Sequence, residues 1–233
     1  MFFPFKDDNP STTFPYITLG IILLNVFFYF VSISGGMEHF QAIVMNYGLI
    51  PVEFLHMQNL AVSPYVHPAL TIFTSMFLHA NLAHLVGNMW YLWIFGDNVE
   101  DFLGHFNFFL FYIAGGVAAA IIHTIFNPTS TMPVIGASGA VSAVLGAYML
   151  LYPNANVYVF FFFFFIIRIF TMPAAILIGF WILFQIINGI VSLGVNQSIG
   201  GVAWFAHIGG FFFGVYVIKF VLKLRMRYNR LNF

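Results

Sequence analysis

Apolar runs of membrane-crossing length alternate with shorter polar segments along this chain, and the alternation predicts six transmembrane helices. They cover residues 16–34, 82–95 extended upstream from Thr71, 106–125, 138–151, 173–193 and 204–222. A helix needs about 20 apolar residues to cross the hydrocarbon of a bilayer, so the fourth is short. The Phe-rich run 160–165 mimics a seventh. Pro153 and Asn154-Ala155-Asn156 break it on one side, and Arg168 followed by Pro173 breaks it on the other. It is read as interfacial or packed against the bundle. The expected architecture is therefore all-α: one polytopic domain over residues 1–233, with an N-terminal arm (1–15), a six-helix bundle and a basic tail (225–233).

Composition agrees. Hydrophobic residues make up 61% of the 233, only 6% are charged, and 33 are Phe. A soluble domain of this size has no core large enough to hide so much apolar surface, so the chain is an integral membrane protein in contact with lipid. The basic residues are Lys6, Arg168, Lys219, Lys223, Arg225, Arg227 and Arg230. With six spans, all fall in the N-terminal arm, the 4–5 loop or the C-terminal end. The positive-inside rule then places both termini in the cytoplasm, and a seventh span would break the sorting. Residues 1–15 carry Lys6, Asp7 and Asp8 and no small-residue cleavage site, so the first span is expected to be retained. The missing presequence and the compact six-span size favour a prokaryotic plasma membrane. Zero net charge implies no nucleic-acid partner, and the absence of cysteine excludes disulfides, thiolate metal sites and cysteine nucleophiles. No cofactor is implied, and nothing in the pattern sets an oligomeric state.

Spans two, four and six run from outside to inside in this topology, and their outer ends carry the unusual residues. These are His79, His84 and Asn88 on span two, Ser138 on span four and His207 on span six. Polar side chains at membrane depth are expensive and mark functional sites. Ser138, Ser142 and Gly146 are four apart on one helical stripe, with Gly139, Ala143 and Ala147 beside them. His207, Gly210 and Gly214 recur at i, i+3 and i+7. Small residues at these intervals let helix backbones approach closely in lipid. Such stripes alone fit ordinary packing seams equally well. These two differ in carrying a nucleophile and a base at their outer ends.

A serine hydroxyl is a weak nucleophile and needs a base to take its proton, the usual role of histidine. Ser138 opens a helix after a glycine-containing turn, so free backbone N–H groups and the positive helix end face a developing oxyanion. His84 and Asn88, one turn apart, offer two more donors, and each such donor typically supplies about 3 kcal/mol. The four aspartates, Asp7, Asp8, Asp97 and Asp101, are all assigned to the cytoplasmic side. A serine mechanism here is therefore a dyad, and an intramembrane aspartyl mechanism has no residues to use. The zinc motif His-Glu-x-x-His is absent.

With these residues in view, the chain resembles the rhomboid family of intramembrane serine proteases. The ordered motifs are Tyr47-Gly48-Leu49-Ile50-Pro51, Thr74-Ser75-Met76-Phe77-Leu78-His79, His84-Leu85-Val86-Gly87-Asn88, Gly136-Ala137-Ser138-Gly139-Ala140 and Ala206-His207-Ile208-Gly209-Gly210. The resemblance implies Ser138 as nucleophile and His207 as general base and acid. It also implies His84, Asn88 and the Ser138 backbone N–H as oxyanion hole. The implied fold is a six-helix bundle in lipid that cleaves transmembrane protein substrates near the outer face. Two departures stand out. Where some rhomboids stack a tyrosine on the histidine, this chain has Ser142, and the first loop lacks the Trp-Arg pair of other members. The competing reading is a non-catalytic rhomboid-like protein that binds or escorts membrane clients. Such proteins typically lack the serine or the histidine, whereas this chain keeps both.

In the 1–2 segment, Met37, Phe40, Ile43, Val44 and Tyr47 fit an amphipathic helix at the outer interface. The glycine-rich segment 194–201 reads as a gate over the site. His79 reads as a loop-positioning residue, and His39, His56, His67, His105 and His123 as structural or interfacial. Asp97, Glu100 and Asp101 read as solvated charges.

Overall fold

The computed structural model describes residues 2–58, 66–163, 165–193 and 201–231. In chain order these form β1 (Phe2–Asp7), α1 (Tyr16–Ile33), α2 (Gly36–Tyr47), α3 (Pro51–His56), α4 (Pro68–Thr74), α5 (Leu82–Leu103), α6 (His105–Phe126), α7 (Ser138–Leu151), β2 (Asn156–Phe163), β3 (Ile166–Pro173), α8 (Ala174–Ser192) and α9 (Trp204–Leu231). A 3-10 turn, Ser75–Phe77, follows α4.

The hub is α7, buried from Gly139 through Tyr148. Its 14 residues make a helix about 21 Å long, short of the roughly 30 Å of hydrocarbon in a bilayer. Protein surrounds it, so it need not span lipid alone, and its first residue starts inside the bundle. The outer helices turn large apolar side chains outward, among them Phe27, Phe109, Ile125, Phe180, Ile190 and Phe220. That is the surface a bilayer solvates.

Among the described residues four helices are long and apolar enough to cross a membrane: α1, α6, α8 and the Trp204–Tyr228 part of α9. The pair Pro68–Phe77 and Leu82–Leu103 amounts to a fifth, bent by 81° at a break. The second predicted span is thus two helices. Its reason is local: the Asn81 side chain accepts the His84 N–H at 2.9 Å and starts α5 anew.

The all-α expectation is corrected by a three-stranded antiparallel sheet, in the order β1-β2-β3. The Phe-rich run is β2, paired with β3, and the N-terminal arm adds the third strand, with Phe3 opposite Phe160 and Asp7 opposite Val157. Val, Tyr, Phe and Ile favour extended backbone, and Pro153 and Pro173 keep the segment from joining the helices on either side. The period of two is visible in burial. Val157 and Val159 are fully buried, while Tyr158 and Phe160 are half-exposed. Trp90 on α5 anchors the sheet, donating its indole N–H to the Pro4 carbonyl at 2.7 Å with the Phe3 ring 5.1 Å away.

One end of the bundle gathers the charges. Glu100 is fully buried and accepts the N–H groups of Ile17 and Thr18 at 2.9 and 2.7 Å. Asp101 accepts the backbone N–H and hydroxyl of both Thr12 and Thr13. The expectation that these acids are merely solvated is therefore corrected: the first N–H groups of α1 lack helical partners, Glu100 supplies acceptors for two of them, and Asp101 holds the exposed turn just before the helix. Tyr148 donates its phenol O–H to Asp7. Arg225 donates to the Phe102 carbonyl at 2.9 Å and stacks 4.2 Å over its ring.

At the other end, α2 is the amphipathic helix expected in the first loop. The chain after it clamps the approach to α7, where Leu49 and Val134 exchange backbone hydrogen bonds at 3.0 and 2.8 Å. The segment read as a gate lies outside the described residues except for Gly201.

Candidate functional site

Ser138 is delivered by a turn that glycine makes best. Gly136 has φ of 129°, a conformation other residues rarely adopt, and its N–H donates to the Ser75 carbonyl at 2.9 Å. A Cβ at 136 would lie 2.8 Å from Cε1 and 2.9 Å from Nε2 of His84, and 3.7 Å from Nδ2 of Asn88. The missing side chain is what lets α5 press the His84 imidazole against the turn before Ser138, with the Asn88 amide beside it at ordinary contact distance.

Each of those groups presents a donor. The Ala80 N–H donates to Nδ1 of His84 at 3.4 Å, so Nδ1 is the acceptor and the proton sits on Nε2, the nitrogen facing Gly136. Asn88 is buried, and its Nδ2 has no hydrogen-bond partner among the described residues. A buried amide donor left unpaired is costly. Such a donor is open to an acceptor that enters the site.

Helix α7 adds backbone donors. No side chain caps it, and its first internal bond runs from the Val141 N–H to the Ala137 carbonyl at 2.9 Å. The N–H groups of Ser138, Gly139 and Ala140 therefore have no partner among the described residues at the positive end of the helix dipole. These residues line a small cavity with Ser75, Gly136 and Ala206, in which about 30 Å³ is open to the centre of a water molecule. That is room for a water.

The far wall is α9. A Cβ on Gly210 would sit 2.0 Å from the Gly139 carbonyl oxygen and 3.3 Å from Cβ of Ser142. One on Gly214 would sit 2.0 Å from the Ala143 oxygen, and one on Gly139 would sit 3.8 Å from the Ala206 oxygen. Backbone-on-backbone packing thus brings His207, next to Ala206, to the seam at the start of α7. Among the described hydrogen bonds none joins Ser138 to His207. Ser142 donates its hydroxyl to the Ser138 carbonyl at 2.6 Å. The His207 ring is within electrostatic range of His84 and His123.

What holds His207 was not foreseen. Its Nδ1 lies 2.8 Å from Oε1 of Gln185 on α8, and the indoles of Trp181 and Trp204 flank it at 5.9 and 6.4 Å. The available signal was an amide inside span five. That span holds two, and only the fold separates them: Gln185 is buried, whereas Asn188 is half-buried and bonded to its own helix at 2.7 Å.

The other histidines sort by surroundings. His79, fully buried in the link before α5, sets its ring edge-on to His84 at 5.0 Å. His67 caps α4 by accepting the Ala69 N–H at 3.2 Å. His105 contacts Glu100 at 2.6 Å.

A family model described as the rhomboid domain matches residues 67–224. Among curated relatives, a mitochondrial rhomboid protein of Saccharomyces cerevisiae is 31% identical over 75% of this chain and 49% of its own. The mitochondrial presenilin-associated rhomboid-like protein A of Danio rerio is 27% identical over 66% of this chain and 38% of its own. The rhomboid protease GluP of Bacillus subtilis is 31% identical over 64% of this chain and 25% of its own. The chain thus spans half or less of the length of the relatives it matches. The expectation of a prokaryotic plasma membrane is corrected by these names, since the yeast and zebrafish relatives are mitochondrial proteins. Its physical basis was weak, because span count and basic-residue sorting do not distinguish one helical-protein membrane from another. The extent of the domain match and the yeast and Bacillus identities place the chain in the rhomboid family.

Proposed function

We propose that this chain is a serine endopeptidase of the bilayer, cleaving transmembrane proteins through a Ser138–His207 dyad within a six-span bundle whose short central span is α7. His207 Nε2 takes the proton from Ser138 Oγ as the oxygen attacks the substrate carbonyl carbon. The oxyanion that forms is met by His84 Nε2–H, the Asn88 amide and the Ser138 backbone N–H. The proton passes from His207 to the departing amine nitrogen, and water then enters to hydrolyse the acyl-enzyme by the reverse order of transfers. Preorganised donors of this kind contribute about 3 kcal/mol each to the transition state. A substrate strand must be extended to reach Ser138, so segments with helix-breaking residues are the favoured targets. For the compartment, the names of the relatives favour a mitochondrial membrane.

The observation that carries this reading is the unpaired, buried Asn88 amide beside His84 at the glycine turn that presents Ser138. A fluorophosphonate probe tests it. Mass spectrometry of labelled protein should find the adduct on Ser138, with none formed in His207→Ala. An adduct elsewhere, or equal labelling of His207→Ala, would overturn the reading.

A further inference from the structure

The dyad proposed above leaves one question of chemistry open. A histidine that serves as base must carry its resting proton on the nitrogen away from the serine, and in a serine triad a carboxylate enforces this. No carboxylate approaches His207 among the described hydrogen bonds, and Ser142 spends its hydroxyl on the Ser138 carbonyl. Gln185 Oε1 lies 2.8 Å from His207 Nδ1 instead. We infer that Gln185 is the positioning residue of His207, an uncharged third member that fixes the ring and its tautomer through an Nδ1–H···Oε1 hydrogen bond. This rests on the Ser138–His207 reading.

Three observations converge on it. An amide oxygen only accepts, so the bond requires the proton on Nδ1 and frees the lone pair of Nε2 for the serine. Gln185 is buried at 5% exposure in a largely apolar helix, where a buried amide without a partner is costly. Trp181 stands one turn before Gln185 on the same face of α8, and its ring lies 5.9 Å from His207, tilted by 36°. The two residues thus grip the imidazole together, the indole against the ring and the amide at its edge. Helix α8 thereby does from one side what a stacked tyrosine on α7 would do from the other.

A neutral acceptor orients the ring but supplies little charge to stabilise an imidazolium. That difference gives the test, made on purified full chain in proteoliposomes with a transmembrane reporter. Gln185→Leu should lower kcat by about 10- to 100-fold, the range for loss of the partner that orients a metal-bound histidine, with KM within about twofold. Gln185→Glu should keep at least a tenth of wild-type kcat and move the acid limb of the pH–rate profile upward, as a carboxylate beside the ring favours imidazolium. His84 on α5 and His123 on α6 lie within electrostatic range of the same ring, so the profile is repeated in His123→Gln to separate their titration. Independently of activity, ¹⁵N spectra of His207 should show protonated Nδ1 in wild type and a mixed tautomer in Gln185→Leu. Unchanged kcat and tautomer in Gln185→Leu, with Ser138→Ala inactive, would overturn the role of Gln185 alone. An active Ser138→Ala would instead remove the dyad on which it rests.

Discussion

Gly210 of α9 lies directly against the carbonyl of Gly139 on α7, so close that a Cβ at 210 would stand 2.0 Å from that oxygen. The neighbour is backbone and cannot rotate away, so the two helices must separate if anything larger than hydrogen occupies 210. Gly210→Ala should therefore destabilise the bundle by about 1–3 kcal/mol, the range for overpacking a close contact. Because the same seam sets the distance between Ser138 and His207, activity should fall more steeply than stability. Denaturant unfolding in detergent, paired with reporter cleavage, checks both. A Gly20→Ala control is expected to cause no loss of stability or activity, since nothing lies within 4 Å of a Cβ there and alanine is the better helix former.

Asn88 holds a buried donor with no partner among the described residues. Asn88→Ala should lower kcat by about 100-fold with little change in KM, as for other oxyanion donors. Stability should rise or stay level, because the substitution removes a buried group with no partner. Reporter kinetics and thermal unfolding measured together decide it. A large loss of stability would show that Asn88 is structural.

Asp7 links the N-terminal strand to the end of α7 through Tyr148. Burial, aided by the nearby charges of Asp97 and Asp8, raises its carboxyl from 3.8 to about 6, against a smaller downward pull from Tyr148. The folded chain therefore holds this proton more tightly than the unfolded one. The associated stability is full below about pH 4 and is lost as pH rises through about 6. Asp7→Asn should flatten this dependence and raise the melting temperature at pH 7.5. A melting curve that tracks wild type at every pH would contradict it.

Glu100 is the acceptor for the start of α1. Glu100→Ala should cost about 1–2 kcal/mol, the scale of a lost helix cap, and expose residues 8–16 to proteolysis. Glu100→Gln should recover part of that stability, since its single amide oxygen can still accept. Limited proteolysis at the N-terminal arm reads both.

The apolar periodicity located α1, α6, α7 and α8 to within a residue or two at each end, because hydropathy and helix-breaking prolines act locally. The seam between α7 and α9 was legible for the same reason, as stripes of small residues. The sheet was not. A run such as Val157–Val159 with its following phenylalanines is apolar in helix and strand alike, and its partner was the distant arm around Phe3. Glu100 was misread because a carboxylate at a helix end looks solvated until the N-terminus of another helix is packed onto it. Gln185 was invisible as a partner of His207 because only the rotation of α8 distinguishes it from Asn188. Local chemistry and the small-residue seam were readable; the pairings of the arm with the sheet, of Glu100 with α1 and of Gln185 with His207 were not.

The central claim is peptide-bond cleavage by Ser138 within a bilayer. Its most direct measurement is cleavage of a transmembrane reporter by the purified chain in proteoliposomes, wild type against Ser138→Ala. The expected result is product from the wild type, with an end mapping inside or beside the reporter's membrane segment, and none above background from Ser138→Ala. Equal cleavage by the two proteins, or none by correctly folded wild type across a panel of reporters with helix-breaking residues, would contradict it.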